Sequence, residues 1–408
     1  MAYDYKPSHS AMGLTGWRDG RALSPDPIVL FAARTWQRRF ALEGAIPMGM
    51  GEIIVQKAEE LKDKVKQVAG SLTGSSQDEA TTDVISRASW MGDIPDHVLV
   101  TALSIPGTHD SGCIDGPMGF AKTQNLDLAD QLTAGIRFID IRLAHYQDGL
   151  HVHHDVIYMG KDYRDVLKIC ADFLVEYPSE AILMSVNEET RFDGPLGDFA
   201  PSEVLSRLLR GEPESWDNTR SFHDEFEHQT WEQMGTAPPF YNYAASPVGA
   251  VPAFTSETSL GDVRGKIILL RRFQCDGEVG FDVTYWLDDT TTRSSEDENG
   301  EPRTTTPPIY YIEDHHNNPD NKYDLVVTHL EKARGGDKED LYITFSSAVI
   351  LQASGYAETI NPRLNDYLAG SPPGRVGIIV MDYFEEPCDL VSNVIKMNST
   401  TGATSESN

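Results

Sequence analysis

Apolar segments that end in titratable side chains are the feature that most constrains the fold of this chain. Residues 103–111 read Leu-Ser-Ile-Pro-Gly-Thr-His-Asp-Ser, so a Pro-Gly turn delivers a histidine and a carboxylate side by side. Residues 135–142 close on an aspartate and an arginine, and residues 150–155 close on two histidines and an aspartate. Strands whose ends carry charge are typical of β/α domains, which place catalytic side chains at the carboxyl ends of strands. The pattern predicts an acid–base site at one edge of a sheet.

Eight apolar runs are predicted to be strands, and helical patterns such as the one from Tyr163 to Glu176 separate some of them. This alternation indicates a parallel β/α arrangement. Eight strands fit a closed barrel, although periodicity alone leaves a doubly wound sheet open. The predicted strands lie near 98–105, 136–142, 150–153, 181–186, 266–272, 308–312, 341–346 and 376–381.

The charge balance limits the partners of the protein. With 34 Lys+Arg against 63 Asp+Glu, the 408-residue chain has a formal net charge of −29. Affinity for nucleic acid comes mainly from cations that neutralise phosphates, so this composition argues against a nucleic-acid partner. The same charge opposes anionic membranes, and a lipid substrate has to be met through a local basic or apolar patch.

The sequence gives no sign of a membrane span or a secretion signal. None of its apolar runs reaches the roughly 18 residues that a span needs, and the first residues lack the basic-then-apolar order of a signal peptide. We therefore expect a cytoplasmic or peripheral membrane protein. The four cysteines are far apart and include no Cys-x-x-Cys pair, which argues against a zinc site.

The sequence divides into three parts. Residues 1–88 are predicted to be an extension with an amphipathic helix near 50–69 and a polar, flexible linker, and docking of that helix on the main domain is favoured over membrane contact. Residues 89–396 are predicted to form the catalytic barrel, within which 191–254 and the acidic stretch 288–307 are expected to be irregular. Residues 397–408 are predicted to be a disordered tail.

The charged strand ends contain what phosphodiester cleavage requires. Attack by a neighbouring hydroxyl needs a base for its proton, an acid for the leaving oxygen and positive charge beside the phosphoryl oxygens. Two histidines and an arginine at strand ends provide these three functions, and a histidine changes its protonation near neutral pH.

In their order and spacing these segments resemble the X region of phosphatidylinositol-specific phospholipase C, and in particular its bacterial, metal-independent type. The resemblance begins at Trp90-Met91, continues through 177–185, 260–273, 341–346 and 375–383, and runs to about Lys396. It implies a distorted TIM (β/α) barrel. It also implies cleavage of phosphatidylinositol to diacylglycerol and inositol 1,2-cyclic phosphate, with transient contact to a membrane or micelle surface.

The resemblance also implies roles for individual residues. His109 is the expected base for the inositol 2-hydroxyl, Asp382 orients it, and His154 is the expected acid for the diacylglycerol oxygen. Asp110 is expected to assist the leaving-group side together with Arg142. Neighbouring His151 and His153 are expected to be structural, and Asp140 is favoured as a structural partner.

Headgroup recognition is expected from a second set of residues. Arg272 and Glu189 match family positions that contact ring hydroxyls. Asp314 matches such a position less closely, and Trp286 is expected to line the same pocket. Asn187 stands where the bacterial family members carry a lysine, so it belongs to the predicted pocket but departs from the family pattern.

No cofactor is expected, because Arg142 stands where the metal-dependent relatives place a calcium-binding carboxylate, and a guanidinium can replace the ion. Calcium bound by Asp110, Asp140, Glu189 and Asn187 is the less favoured alternative. Two other functions remain open at this point: a phosphodiesterase acting on another lipid or glycerophosphodiester headgroup, and a weakly active module that binds inositol lipids.

Overall fold

The chain forms two units, residues 1–76 and 77–408. The computed structural model describes residues 16–18, 21–23, 87–115, 121–154, 157–189, 218–234, 240–242, 252–275, 279–287, 289–305, 307–347 and 353–399. In the first unit, β1 (Gly16–Arg18) pairs antiparallel with β2 (Arg21–Leu23). The predicted amphipathic helix at 50–69 and the linker after it lie outside the described residues.

Mostly parallel strands build the larger unit. Neighbouring strands follow the order β10-β11-β12-β13-β3-β4-β7-β8-β9, in which only the β10–β11 pair is antiparallel, and β5 and β6 extend from β4. The strands are β3 (Ile105–Thr108), β4 (Phe138–Tyr146), β5 (Gly149–His154), β6 (Ile157–Asp162), β7 (Ala181–Glu188), β8 (Lys266–Arg271), β9 (Phe281–Asp282), β10 (Thr291–Arg293), β11 (Tyr310–Glu313), β12 (Leu341–Phe345) and β13 (Ile378–Met381).

Helices connect many of these strands. The one predicted from Tyr163 to Glu176 is confirmed with those limits, and a capping box at Asp162 begins it. In the described parts of the chain the helices are α1 (Leu128–Thr133), α2 (Tyr163–Glu176), α3 (Phe222–Met234), α4 (Leu260–Val263), α5 (Pro319–Gly335), α6 (Ala353–Gly370) and α7 (Leu390–Lys396), with 3-10 turns at Trp90–Asp93 and Val100–Ala102.

Alternation along the strands separates two apolar cores. On β4, Ile139 and Ile141 belong to the core shared with the helices, whereas Phe138 belongs to the core inside the curled sheet. Because side chains alternate between the two faces of a strand, Asp140 and Arg142 follow Phe138 on the inner face. The interior of the sheet is therefore apolar at its base and charged at the carboxyl ends of its strands.

Two predicted strands differ from expectation. The run near 98–105 begins as a 3-10 turn at Val100–Ala102, and the strand starts only at Ile105. The run near 150–153 is a strand, but it pairs antiparallel with β4 instead of joining the parallel sheet. Gln147 and Asp148 both have positive φ, 52° and 51°, which is the backbone of a type I′ hairpin turn.

Two segments predicted to be irregular contain regular structure. Within 191–254 lies α3, where Phe222, Phe226 and Thr230 are buried at helical spacing among acidic neighbours. Within the acidic stretch 288–307 lies β10, in which Thr292 is buried between two exposed residues, as strand alternation requires. The average polarity of these segments gave no sign of either element. A single buried face is enough to hold a helix or a strand in place when its other faces are polar.

The first residues of the predicted tail are packed against the larger unit. Met397 is 5% exposed, and the Asn398 side chain pairs with the backbone of Ser104 through two hydrogen bonds of 2.8 Å. Residues 397–399 thus belong to the packed domain, and residues 400–408 lie outside the described part of the chain.

A buried ion pair fixes the base of the sheet. The Arg137 guanidinium, fully buried at the start of β4, donates to Glu180 at 2.8 Å and to the carbonyls of Leu132 and Ala88 at 2.7 and 2.6 Å. Burial lowers the pKa of Arg137 to about 10, and Glu180 opposes this shift by stabilising the charged form.

Glu180→Ala should lower the free energy of unfolding by about 3–5 kcal/mol, because it leaves the guanidinium buried without its counter-charge. Urea unfolding followed by circular dichroism measures the change. As a control, Asp172→Ala breaks the exposed ion pair with Lys168 and should leave the unfolding midpoint almost unchanged. Equal effects of the two substitutions would contradict the assigned role of Glu180.

Candidate active site

The strand register brings three predicted site positions to one level. Thr108 of β3 pairs with Ile139 of β4 on one side and with Met381 of β13 on the other. The residues that follow these three, His109, Asp140 and Asp382, therefore meet at the carboxyl end of the sheet. Residues separated by more than 270 positions become neighbours in this way.

His109 is fixed from several directions. Its Nδ1 lies 2.9 Å from Asp382 Oδ1, its carbonyl accepts from the Gln124 side chain at 2.8 Å, and its ring packs edge-on against Phe345 with centroids 5.9 Å apart. A carboxylate can only accept, so in the neutral ring Nδ1 carries the proton and Nε2 is the atom available for chemistry.

Nε2 of His109 has a partner for either protonation state. Arg142 Nη2 lies 3.1 Å away and can donate to the neutral ring, while Asp110 Oδ2 lies 3.3 Å away and can accept from the imidazolium. Burial lowers the pKa of His109, but Asp110 and Asp382 outweigh it and raise the pKa from 6.5 to about 9. The site thus stabilises the imidazolium that a base forms when it takes a proton.

Asp110 lies between the two imidazoles. Its Oδ2 is 3.3 Å from His109 Nε2 and 3.2 Å from His154 Nε2, and its Oδ1 is 2.5 Å from Arg142 Nε. Burial raises the pKa of this carboxyl, but Arg142 and the two histidines dominate and hold it at about 2. Asp110 has a φ of 43°, a left-handed conformation that aspartate tolerates better than most residues, and a Thr123 hydroxyl that donates to its carbonyl at 3.0 Å supports the turn.

His154 reaches the site through the β4–β5 hairpin. Its Nδ1 lies 2.9 Å from the Ala121 carbonyl oxygen, which can only accept, and its Nε2 faces Asp110. With an acceptor at each nitrogen the ring is arranged to hold a proton at Nε2, as a general acid must. His151 and His153 lie elsewhere, with Asp162 and with the Tyr146 hydroxyl respectively.

Arg142 gathers the carboxylates of the site. Its guanidinium lies 2.5 Å from Asp110, 3.5 Å from Asp140 and 3.6 Å from Glu189, and its side chain is 24% exposed. These are the oxygens that a calcium ion would need, and the cationic side chain already stands among them. The donor set as built therefore does not fit calcium. Asn187 pairs with Arg142 in the β4–β7 register, half-buried on the inner face.

Three of the predicted pocket residues form a second wall. The Arg272 guanidinium stacks on the Trp286 ring, 3.9 Å from its centroid, and the Trp286 indole donates to Asp314 Oδ2 at 3.1 Å. Arg272 also approaches Asp140 Oδ1 at 4.0 Å, which joins this wall to the catalytic cluster. Phe345 contacts both His109 and Trp286 edge-on and so spans the space between them.

Sequence reasoning missed four residues at this site. Cys113 lies close to Asp110 and His154, and burial raises its pKa well above the ordinary value. Gln124 and Phe345 hold His109. Lys322 lies 3.8 Å from Glu313, the residue before Asp314. A helical stripe of buried residues could have revealed it, since Val326, His329, Leu330 and Ala333 follow at helical spacing.

Known proteins are similar to this chain in sequence and in fold. The model of the phosphatidylinositol-specific phospholipase C X domain matches residues 108–195. This segment of the chain therefore resembles the X domain of that phospholipase C family. The matched X-domain segment runs from β3 to just beyond β7 and contains His109, Asp110, Arg142 and His154.

Two relatives of the X-domain family extend the similarity. The 1-phosphatidylinositol phosphodiesterase of Staphylococcus aureus strain Newman is 25% identical over 339 residues, which are 78% of this chain and 96% of that protein. The enzyme of the same name from Listeria monocytogenes is 37% identical over 111 residues, and the match spans 34% of its length.

Solved structures confirm the predicted fold class, a distorted (β/α) barrel. A crystal structure of the Staphylococcus aureus phospholipase C superposes with a TM-score of 0.60 at 24% identity, covering 78% of this chain and 99% of the other. The Listeria monocytogenes phospholipase C gives a TM-score of 0.52 at 25% identity over 77% of this chain. Arg272, Trp286, Asp314 and Asp382 lie beyond the matched X-domain segment, on later strand ends of this barrel.

The protonation of His109 can be measured directly. NMR titration of isotope-labelled histidines should give a midpoint of about 9 for His109, and Asp382→Asn should lower it because a charge and a hydrogen bond are lost. Since the folded pKa is raised, the stability gained from the imidazolium is full below about pH 6.5 and disappears as the pH rises through about 9.

His329 provides an internal control for this titration. It is buried beside Thr344, and burial lowers its pKa to about 4, so the two rings should titrate on opposite sides of the ordinary value. A His109 midpoint at or below 6.5 would contradict the arrangement described for Asp110 and Asp382.

Proposed function

We propose that the protein cleaves phosphatidylinositol by attack of the inositol 2-hydroxyl on phosphorus, releasing diacylglycerol and leaving inositol 1,2-cyclic phosphate. The observation that carries this proposal is the single carboxylate, Asp110, held between His109 and His154 beside Arg142. The relatives named 1-phosphatidylinositol phosphodiesterase support the choice of lipid.

The two histidines divide the proton transfers. The neutral form of His109, which the raised pKa of about 9 makes the minor form at neutral pH, takes the proton of the 2-hydroxyl on Nε2 as the new oxygen–phosphorus bond forms. Asp382 stabilises the resulting imidazolium through Nδ1. His154 gives a proton from Nε2 to the diacylglycerol oxygen as the old phosphorus–oxygen bond breaks, and Asp110 orients it. Reversal of these roles with a water molecule would hydrolyse the cyclic product.

Positive charge for the phosphoryl oxygens comes from Arg142. Its guanidinium is partly exposed and already fixed by three carboxylates, so it is preorganised to stabilise charge that develops during the reaction. We infer a metal-independent reaction, because this group stands where a calcium ion would have to bind.

Arg272, Trp286, Asp314 and Glu189 are proposed to recognise the inositol ring. Carboxylates accept from ring hydroxyls, guanidinium groups donate to them, and the indole offers an apolar face. Asn187 offers an amide where the bacterial family pattern has a lysine. This difference is the specific observation that favours the second candidate, a phosphodiesterase for another lipid or glycerophosphodiester headgroup.

The proposed substrate lies in a membrane or micelle surface, so we infer transient peripheral contact. One of the solved Staphylococcus aureus structures concerns the membrane binding of that enzyme. In the described residues of this chain, none of the helices is both long and apolar enough to cross a bilayer.

Phosphorus NMR with phosphatidylinositol in detergent micelles and excess EDTA tests the reaction. The five-membered cyclic phosphate should appear with the wild-type protein, and His109→Ala and His154→Ala should each reduce turnover by at least about 10²-fold, because each removes a proton-transfer group. His151→Ala is the matched control from the same hairpin and should retain activity.

Near-normal activity of either His109→Ala or His154→Ala would overturn the mechanism. Cleavage of a panel of glycerophosphodiester lipids without cleavage of phosphatidylinositol would favour the second candidate. Binding of phosphatidylinositol without turnover of any headgroup would favour the binding module.

Arg142→Asp tests the place of the guanidinium. The variant adds an oxygen ligand among Asp110, Asp140 and Glu189 and removes the cation, so it should be inactive or should depend on added calcium. Turnover is measured in EDTA and in millimolar calcium. Activity in EDTA equal to that of the wild type would refute the role given to Arg142.

A further inference from the structure

Three side chains of the types that bind metal ions meet beside the proposed acid. A carboxylate oxygen of Asp110, the Sγ of Cys113 and a ring nitrogen of His154 all lie within 4.8 Å of one another, and all three residues are buried. Thiolate, imidazole and carboxylate are the ligands that zinc takes in proteins, whereas calcium takes oxygens alone. The group therefore differs in kind from a set of calcium ligands.

One turn fixes the backbone of two of these residues. The Cys113 N–H donates to the Asp110 carbonyl at 2.8 Å, so the two residues begin and end a single turn. The Thr123 N–H donates to the Cys113 carbonyl at 2.9 Å, and the Thr123 hydroxyl donates to the Asp110 carbonyl at 3.0 Å. Both side chains thus start from positions that the fold holds in place.

His154 already has the orientation of a zinc ligand. Its Nδ1 lies 2.9 Å from the Ala121 carbonyl oxygen, and its Nε2 lies 3.2 Å from Asp110 Oδ2. Metal-bound histidines usually donate their second ring N–H to a carbonyl or a carboxylate in this way. Two ligand atoms bound at about 2.0–2.1 Å to a tetrahedral ion are about 3.3 Å apart, so the spacing of this pair suits zinc.

The charge balance of the site permits the ion despite Arg142. The guanidinium contacts Asp110 through Oδ1, at 2.5 Å, whereas His154 lies at Oδ2. A zinc ion would replace the thiol proton of Cys113 and the proton held at His154 Nε2, so two positive charges leave as two arrive. Burial raises the pKa of the Cys113 thiol well above its ordinary value, but a metal ion deprotonates a thiol that coordinates it.

A second group of possible ligands, formed by His109, Asp110 and Asp140, is less suitable. Arg142 contacts all three of its members, since it lies 3.1 Å from His109 Nε2, 2.5 Å from Asp110 Oδ1 and 3.5 Å from Asp140 Oδ2. A cation therefore already stands where the ion would bind. The second group also contains no sulfur.

We propose that Asp110, Cys113 and His154 form an inhibitory site for a thiophilic divalent cation such as zinc. The bound ion takes the Nε2 lone pair of His154, so the proposed acid has no proton to give to the leaving oxygen. Its fourth position is left for water, as in zinc sites with three protein ligands. Cysteine spacing does not reveal the group, because just one of its ligands is a cysteine and His154 lies on another strand. The inhibition rests on the proposed function, whereas the binding of the ion does not.

Cobalt(II) reports on the site without any substrate. Cobalt occupies zinc sites, and a cysteine thiolate bound to it gives a charge-transfer band in the near ultraviolet. The reduced wild-type protein should develop this band with an equimolar amount of cobalt, and zinc should abolish it by displacing the cobalt. In Cys113→Ser the band should be absent, because the thiolate that produces it is lost.

The other cysteines supply matched controls. Cys170 is a free and buried cysteine like Cys113, but it lies in α2, and Cys388 is exposed on the surface. Cys170→Ser and Cys388→Ser should both keep the cobalt band. The combined variant Cys170→Ser/Cys275→Ser/Cys388→Ser, in which Cys113 is the remaining cysteine of the chain, should keep it as well.

Inhibition of phosphatidylinositol cleavage is the second measurement. Micromolar zinc should inhibit the wild-type protein, and EDTA should restore its activity, whereas equal concentrations of calcium or magnesium should not inhibit because these ions prefer oxygen ligands. Each variant is compared with its own activity in EDTA. Cys113→Ser should need at least about 10-fold more zinc for half-inhibition, because even the loss of an outer partner of a metal ligand weakens binding by that factor.

The outcomes separate the two proposals. A wild-type protein that cleaves no phosphatidylinositol refutes the proposed function, while the cobalt titration still tests the site. A wild-type protein without the thiolate band, or a band that persists in Cys113→Ser, overturns the inference. Equal zinc requirements of the wild type and Cys113→Ser would place the ion among His109, Asp110 and Asp140 and would also overturn it, as would inhibition confined to millimolar zinc.

The combined variant keeps the inference testable if Cys113 cannot be replaced. Should both Cys113→Ser and Cys113→Ala fail to fold, the band in the protein that retains Cys113 as its remaining cysteine decides the question. Its presence there supports the site, and its absence from that folded variant shows that another cysteine held the ion and that the inference is wrong.

Discussion

The candidate site depends on one carboxylate, that of Asp110, which contacts both imidazoles and the Arg142 guanidinium. A buried anion is stable only when cations and donors surround it, so its neighbours cannot be replaced independently. The same carboxylate raises the pKa of His109 and is itself kept ionised by Arg142. The proposed base, the proposed acid and the proposed phosphate-binding group thus share one electrostatic balance, which fixes their relative positions before a substrate arrives.

The barrel supplies this balance through register. Parallel pairing brings the residues after Thr108, Ile139 and Met381 to one level, and a type I′ hairpin carries His154 back over them. Alternation on β4 gives Asp140 and Arg142 a common inner face above Phe138. Local rules of strand geometry therefore assemble side chains that are far apart in the chain.

These local rules also explain which features the sequence predicts. Strand ends and the helix at 163–176 follow from apolar periodicity, and the charged residues at those ends indicate the site. The strand near 150–153 was predicted, but its antiparallel pairing with β4 was not, because the pairing depends on backbone φ at Gln147 and Asp148. The α3 helix was missed because its buried stripe is narrow. Lys322 was missed because its ion pair with Glu313 joins α5 to β11. The sequence alone does not reveal which strand a helix covers. The roles of the site residues stay predictions.

The charges of the site also bear on how an anionic lipid is bound by a chain of net charge −29. Arg142 and Arg272 lie among Asp110, Asp140 and Glu189, and Lys322 lies beside Glu313, so the pocket offers cations without a surplus of positive charge. Such a pocket attracts a phosphodiester weakly at long range. Its donors are nevertheless fixed in direction by the carboxylates. In the proposed reaction, fixed donors stabilise the charge that develops as the 2-hydroxyl attacks more than the charge already present in the substrate. Under the proposed function, the acidic surroundings of the arginines therefore favour turnover over tight binding of the lipid.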